Sequence, residues 1–325
     1  MRAAFRERYG PPAKVVELRE VEKPAPAEDE VLVRVRATSV NIADWYGVVG
    51  RPRIGRLAMG LRSPKEKRLG VDYAGVVEDV GKDVTEFRPG DEVFGGRTGA
   101  YADYVVAKAD RAIVHKPANV SFEVAAATPI AAITALQALR DKGGLRAGQR
   151  VLVHGASGGV GTYTIQIAKA LGAEVTAVCS TPNVDIARSL GADRVADYTR
   201  EDVTRGDERY DLLIDIAGTR PFRQLRRVLE PGARIVVVGG PRKGKVLGPL
   251  GHVVRTKVRS LFTSQKATFF VAKLDKDGME TLRQLLEAGK LISVIDSTYP
   301  LDRLADALDH MAEGHPRGKI VVTVS

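Results

Sequence analysis

The stretch Val151–Gly161, VLVHGASGGVG, decides how the rest of the chain is read. An apolar run ends in a glycine-rich turn, and TYTIQIAKALGA continues from it with helical periodicity. Gly155, Gly158 and Gly161 recur at three-residue spacing. In a strand–turn–helix unit such glycines permit a tight turn, close approach of a pyrophosphate to the backbone, and close packing of helix on strand. The N–H groups at the helix start, around Ser157, Gly159 and Val160, then face the anion, and the helix dipole favours its charge. Glu174 to Val178 supplies a second strand and completes a βαβ unit of the length a dinucleotide site needs.

Downstream the alternation goes on. Strands are expected at Arg194 to Ala196, Leu212 to Ile216 and Arg234 to Val238, with helices at Val184 to Leu190 and Pro221 to Leu229. Nearly all-apolar strands alternating with helices predict a parallel sheet buried on both faces. Gly172 and Gly191 stand just past two of the helices, as C′ glycines do. Upstream, VLVRVRATSV (Val31 to Val40) alternates apolar and polar residues, and short β-rich runs punctuated by Gly, Pro and Asp follow it, which suggests a partly open barrel. At Ser121, placed as an N-cap, the texture becomes alanine-rich and helical. After Phe270 come a helix, a strand near Val294, a second helix and the strand-like KIVVTV. The expected organisation is residues 1–121 and 273–325 as one domain, with 122–272 inserted as a dinucleotide-binding domain.

Composition narrows the setting. The 325 residues hold 44% apolar and 28% charged side chains, a soluble balance with room for two cores. No apolar run approaches the roughly 20 residues that span a bilayer, and MRAAFRERYG lacks a signal-peptide core, so no membrane partner is expected. One cysteine, Cys179, allows no intrachain disulfide and fits a reducing, cytoplasmic compartment. The net charge of +10 gathers in Arg51 to Arg68 and Arg242 to Arg259. Neither stretch interleaves aromatic residues as single-strand binders do, and no nucleic-acid motif is present, so nucleic acid is not expected as a partner.

Two further readings of the glycine turn follow from residues alone. Gly155-Ala156-Ser157-Gly158-Gly159 also matches the serine-hydrolase elbow G-x-S-x-G, for which Asp215 with His252 or His310 could complete a triad. The glycines running on to Gly161 and the lack of an HGGG-like oxyanion segment disfavour it. The second strand ends in Cys179-Ser180-Thr181, without the acid that binds the ribose 2′-hydroxyl of NAD. NADPH is therefore favoured over NADH, although Pro182, and no cation, follows the Ser-Thr pair.

Several motifs together carry a resemblance: SVNIADWYG (Ser39 to Gly47), GVDYAGVVEDVGKDVTEFRPGDEVFG, GAYADYVV, HGASGGVGTYTIQIAKALGAEVTAV, SLGADRVADYT and GKIVVTV. Over nearly its whole length the chain resembles the zinc-independent quinone oxidoreductases and enone reductases of the medium-chain dehydrogenase/reductase superfamily. The implied fold is α/β, a Rossmann doubly wound parallel sheet inserted into a GroES-like β-rich catalytic domain. Zinc-dependent members carry a cysteine ligand where this chain has Asn41 and a histidine where it has Val71, so no metal is expected. Without a Lewis acid, alcohol oxidation is disfavoured and hydride delivery to a quinone or α,β-unsaturated carbonyl is the implied chemistry.

By the same resemblance Asn41 and Tyr46 line the acceptor pocket as the catalytic pair, with Asn41 hydrogen-bonding the carbonyl, while Asp44 anchors the loop and Tyr101 belongs to the core. Cofactor binding is assigned to Thr134, the 155–161 turn, Ser180, Thr181 and Tyr198. It extends to Ala217, Gly218, Val238, Gly239 and Gly240 at strand ends, and to Phe270 and Lys319. His154 is read as a packed position. The basic loop from Gly50 to Leu69 is expected to border the substrate mouth. A homodimer, paired through a strand near Gln265 to Val271, is the family expectation. The rival reading is a non-catalytic dinucleotide-binding or nucleic-acid-associated regulator on the same fold, motivated by the charge.

Overall fold

A computed structural model describes residues 1–241, 248–314 and 316–325. Part of the second basic stretch, 242–247, thus lies outside the described residues. The described residues form two compact units, Met1–Ile133 with Lys273–Ser325, and Thr134–Ala272.

In the first unit, β1 (Arg2–Phe5) and β2 (Glu17–Glu20) form a hairpin. The main sheet is built on β3 (Glu30–Val40), β4 (Asp72–Val80), β5 (Glu92–Gly96), β6 (Tyr104–Lys108) and β7 (Ile113–His115). The chain's end adds β14 (Ile295–Pro300) and β15 (Lys319–Thr323), in the order β14-β15-β3-β4-β5-β7, with β6 on β3. β15 pairs antiparallel with β3, Ile320 opposite Val40, so the C-terminal tail does return to this unit. Val33, Tyr73, Phe87, Val93 and Tyr101 share one core with Leu304, Leu308 and Val322. The alternation read in Val31 to Val40 holds only around Arg34 and Arg36, which are exposed; the rest of the strand is buried, between β4 on one side and β15 or β6 on the other.

The second unit is a six-stranded sheet of β8 (Arg150–His154), β9 (Glu174–Cys179), β10 (Arg194–Asp197), β11 (Tyr210–Asp215), β12 (Leu229–Val237) and β13 (Lys266–Phe269). All pairs are parallel, in the order β10-β9-β8-β11-β12-β13. This is the doubly wound order, and its switch point lies between β8 and β11, where ligands of such sheets bind at the carboxyl ends of the strands. Gly172 and Gly191, at φ of 82° and 96°, take the left-handed conformation expected after two of the helices.

The expected boundary at residue 121 falls earlier than the compact units divide. Ser121 does cap a helix, its hydroxyl accepting from Val124 N–H, and that helix, Phe122–Ala127, packs on β3 and β4 of the first unit. A change from strand to helix marks a change of texture; which core the helix joins depends on its buried alanines.

Candidate functional site

The cradle on the second unit is made by three strand ends. Between β8 and the Gly159–Ala170 helix, Gly155 turns at φ 96°, and a Cβ there would meet Ala217 N at 2.9 Å. A Cβ on Gly161 would lie 2.2 Å from the Gly155 carbonyl oxygen, so helix and turn pack closer than any side chain allows. Gly158 caps the helix without a side chain and has open space where its Cβ would point. The first N–H groups of this helix, from Gly159, Val160 and Gly161, therefore meet no capping side chain, the arrangement that accepts a phosphate. Ala217 and Gly218 after β11, and Val238, Gly239 and Gly240 after β12, close the same rim. A Cβ on Gly218 would meet Gly240 Cα at 2.5 Å, and one on Gly239 would meet the Ile216 carbonyl oxygen at 2.3 Å.

Behind the rim sits a polar cluster that the residue pattern alone did not reveal as a unit. Asp215, fully buried at the end of β11, accepts from His154 Nδ1 at 2.8 Å and from His252 Nε2 at 2.7 Å. The Gly218 N–H donates to it at 2.9 Å, and Thr219 Oγ1 lies 3.2 Å from the far nitrogen of His154. Burial would raise the Asp215 pKa, but the hydrogen bonds and charge of the two imidazoles overcome it and hold the carboxyl down at about 2. The acid–histidine pairing required by the hydrolase reading thus exists for His252, whereas His310 meets Ser297, Tyr299 and Asp296 in the first unit. Ser157 has no hydrogen bond to His252, so no triad forms.

At the ends of β9 and β10, Ser180, Thr181 and Tyr198 come together. Tyr198 N–H donates to the Cys179 carbonyl at 3.0 Å, and its side chain is exposed. The end of β9 carries no acid, as its sequence reads, but the neighbouring strand brings one. The absence of an acid was read along β9 alone, but Asp197 in β10 pairs in register with Cys179 and accepts from the Thr181 hydroxyl at 2.5 Å. Thr181 and Thr199 hold its pKa low, and Arg200 lies 3.6 Å away. A strand-order argument, with the third strand beside the second, is the signal that could have found it. Phe270 is half-buried with the Lys142 ammonium 6.0 Å from its ring, and Thr134 lies on the Pro129–Leu136 helix.

The first unit gathers its own candidates around Asp72. Asn41 caps the Ile42–Val49 helix, and its N–H donates to Asp44 at 2.8 Å, so Asp44 does anchor the loop. Asn41 Nδ2 donates to Asp72 at 2.8 Å, and its Oδ1 accepts from Lys319 Nζ at 2.6 Å. Lys319 is itself buried, within 3.5 Å of Asp72, and burial lowers its pKa. Asp72 also accepts from Ser39 Oγ at 2.8 Å and from Ile130 N–H at 3.0 Å. Two of the expected site residues are engaged with each other. Lys319, assigned to the cofactor, spends its ammonium on Asn41, Asp72 and the Val40 carbonyl. Asn41 does not offer a whole amide to an acceptor, since only its second Nδ2–H lacks a partner among the described residues. Tyr101 is buried, its hydroxyl donating to Asp44 at 2.9 Å, while Tyr46 is half-buried with its ring 5.3 Å from that of Trp45. Burial first, and the Asp72 charge with it, raises the Asp44 pKa to about 6.

Among the described residues no group of three His, Cys, Asp or Glu side chains is placed to hold a metal ion. The comparisons with known proteins agree with this architecture. Residues 27–118 match an alcohol dehydrogenase GroES-like domain, and 190–322 match a zinc-binding dehydrogenase model. The chloroplastic quinone oxidoreductase of Triphysaria versicolor is 32% identical, over 99% of this chain and 98% of its own. The quinone oxidoreductase structure of Coxiella burnetii is 29% identical with a TM-score of 0.84, covering 100% of this chain and 99% of its own. A solved NAD-dependent alcohol dehydrogenase is 30% identical with a TM-score of 0.85, covering both chains in full.

Proposed function

The chain belongs to the quinone-oxidoreductase branch of the medium-chain dehydrogenase/reductase superfamily, and from that membership we propose that it is an NADPH-dependent reductase of quinones or α,β-unsaturated carbonyls that works without zinc. One observation carries the reading. The Lys319 ammonium lies 2.6 Å from Asn41 Oδ1, at the residue that stands in a metal ligand's place. A cation already fills that corner, and Val71 next to Asp72 offers no donor, so the residues present do not fit a catalytic zinc. A site lacking a Lewis acid is suited to acceptors that are already electron-poor.

A bound nicotinamide dinucleotide supplies the hydride. The chain's part is to orient and hold. The helix N–H groups beyond Gly158 bind the pyrophosphate, and the strand-end glycines admit the rest of the cofactor without side-chain collision. Ser180 and Tyr198 flank the adenosine phosphate. Asp197, which would repel a 2′-phosphate, is turned onto Thr181 and faced by Arg200. The remaining Nδ2–H of Asn41 donates to the acceptor carbonyl, beside Tyr46, and the proton that completes the reduction comes from water.

Titration with NADPH and with NADH, followed by nicotinamide fluorescence, tests the cofactor, and loss of NADPH over a panel of quinones and enones tests the reaction. Tighter NADPH binding with turnover on either class is expected. Tighter NADH binding would overturn the cofactor assignment. Saturable binding with no turnover would leave a dinucleotide-binding regulator. Homodimerisation belongs to the same proposal: among the described residues β13 closes its sheet with an unpaired edge, and Phe269, Val271, Leu261 and Phe262 near it are exposed. Sedimentation velocity checks it.

A further inference from the structure

Between Arg51 and Arg68 the chain carries seven cations and a single acid, Glu66. Within the same stretch Ile54, Leu57 and Leu61 are 42%, 72% and 66% exposed. Isolated exposed aliphatics are ordinary; three within eight residues, ringed by cations, are not. The backbone beneath them is fixed. Tyr9 Oη donates to the Gly60 carbonyl at 2.8 Å, Arg56 Nε donates to the Gly50 carbonyl at 2.9 Å, and the Arg56 guanidinium stacks 4.4 Å from the Tyr9 ring. Arg6 N–H ties in the far end through the Lys67 carbonyl at 3.0 Å. The loop is pinned from within while its aliphatic tips point out. Of its cations, Lys67 pairs with Glu7, but Arg51, Arg53, Arg62 and Lys65 have no acidic partner among the described residues.

We propose that this loop docks on an anionic lipid surface, with Leu57 and Leu61 entering the headgroup boundary and the unpaired cations meeting lipid phosphates and carboxylates. Apolar tips flanked by Lys and Arg are what such an interface rewards, and each cation near a negatively charged leaflet adds attraction. A single-stranded nucleic acid is a poorer match, because residues 51–68 contain no aromatic side chain for bases to stack on. A protein partner is poorer too, since three side chains fall far short of the roughly 800 Å² that one side of a stable interface buries. No described helix is long and apolar enough to cross a membrane. The proposed contact is peripheral. It does not depend on which acceptor the enzyme reduces.

Co-sedimentation with vesicles of phosphatidylcholine alone and of phosphatidylcholine with phosphatidylserine, at physiological salt, tests it with the full chain. Binding to the phosphatidylserine vesicles only is expected, weakened by added salt. Leu57→Ser with Leu61→Ser should reduce partitioning about tenfold or more. Arg51→Glu with Arg53→Glu should abolish it. These side chains are exposed, so an unchanged circular dichroism spectrum is expected and separates lost docking from lost folding. No pelleting of the wild-type chain would overturn the proposal, as would equal pelleting with neutral vesicles. Unchanged binding of the leucine variant, or tighter binding to single-stranded RNA than to vesicles, would overturn it as well.

Discussion

Asp72 in β4 and Asp215 in β11 are both fully buried carboxylates beside a proposed site, yet they are held by different means. Asp72 has an ammonium within 3.5 Å, an amide, a hydroxyl and a backbone N–H. Asp215 has two imidazoles and the Gly218 N–H. In the first cluster the counter-charge comes from the last strand of the chain, and the loop that carries Asn41 is locked to it. In the second, the counter-groups are two histidines from different parts of the sheet's rim, and one of them, His154, sits immediately before Gly155. The difference teaches that one unit holds its buried carboxylate with an internal ion pair, while the other ties its glycine rim to an acid shared by two histidines.

The largest effect expected is at the ion pair. Lys319→Met should destabilise the first unit by about 3–5 kcal/mol, because it leaves Asp72 buried without a counter-charge. Urea unfolding measures it, and adding Asp72→Asn to the same chain should recover part of the loss. A loss below about 1 kcal/mol would mean that Asp72 and Lys319 are not a coupled pair, and the comparison would fail there.

Asp215→Ala comes next. It strands the Gly218 N–H and both imidazole donors, at a cost of about 2–4 kcal/mol. Because Gly218 stands on the rim with Gly155, Gly239 and Gly240, NADPH affinity should fall together with stability. Lys319→Met, by contrast, should spare NADPH binding to the folded chain. Equal loss of affinity in both variants would erase the distinction between a structural pair and a cofactor-side cluster.

The response to pH sharpens the same contrast. The Asp215 carboxyl is held at about 2, below the ordinary carboxylate value. Its contribution is therefore complete above that ordinary value and is lost as pH falls through about 2, amounting to about 2 kcal/mol. Acid unfolding of the Asp215→Ala variant should accordingly be less steep than that of the wild type over this range.

How much of this could be read beforehand follows from sequence separation. The glycine turn, the alternating strands and the C′ glycines are local patterns, and each of their positions decides its own backbone. Asn41 and Lys319 were each singled out, but the bond between them spans 278 residues and depends on β15 lying beside β3. His252 was noticed only as a partner in a triad, when its use is to share Asp215 with His154. Asp197 escaped because the acid was sought at the end of the second strand. In the folded sheet a neighbour 16 residues from Thr181 stands just as close. Helix and strand are set by periodicity; which polar groups meet in the interior is set by the packing of elements whose order only the sheet reveals.

A pH effect of comparable size is expected at Asp44, and it runs opposite to that at Asp215. Burial raises this carboxyl to about 6, so the folded chain binds its proton more readily than the unfolded one. Its stabilising contribution is present below the ordinary carboxylate value and is lost as pH rises toward about 6. Both donors to Asp44, the Asn41 N–H and the Tyr101 hydroxyl, reach the same oxygen, Oδ2. An asparagine can therefore keep both bonds on its carbonyl oxygen and carry no charge to desolvate. Asp44→Asn should fold as the wild type does at pH 4, and at pH 7 it should be more stable by about 2–3 kcal/mol. Urea midpoints across that interval would show the wild-type decline and a flatter line for the variant. Parallel lines would mean that the Asp44 carboxylate is already ionised at no cost, and that Lys319 neutralises it along with Asp72.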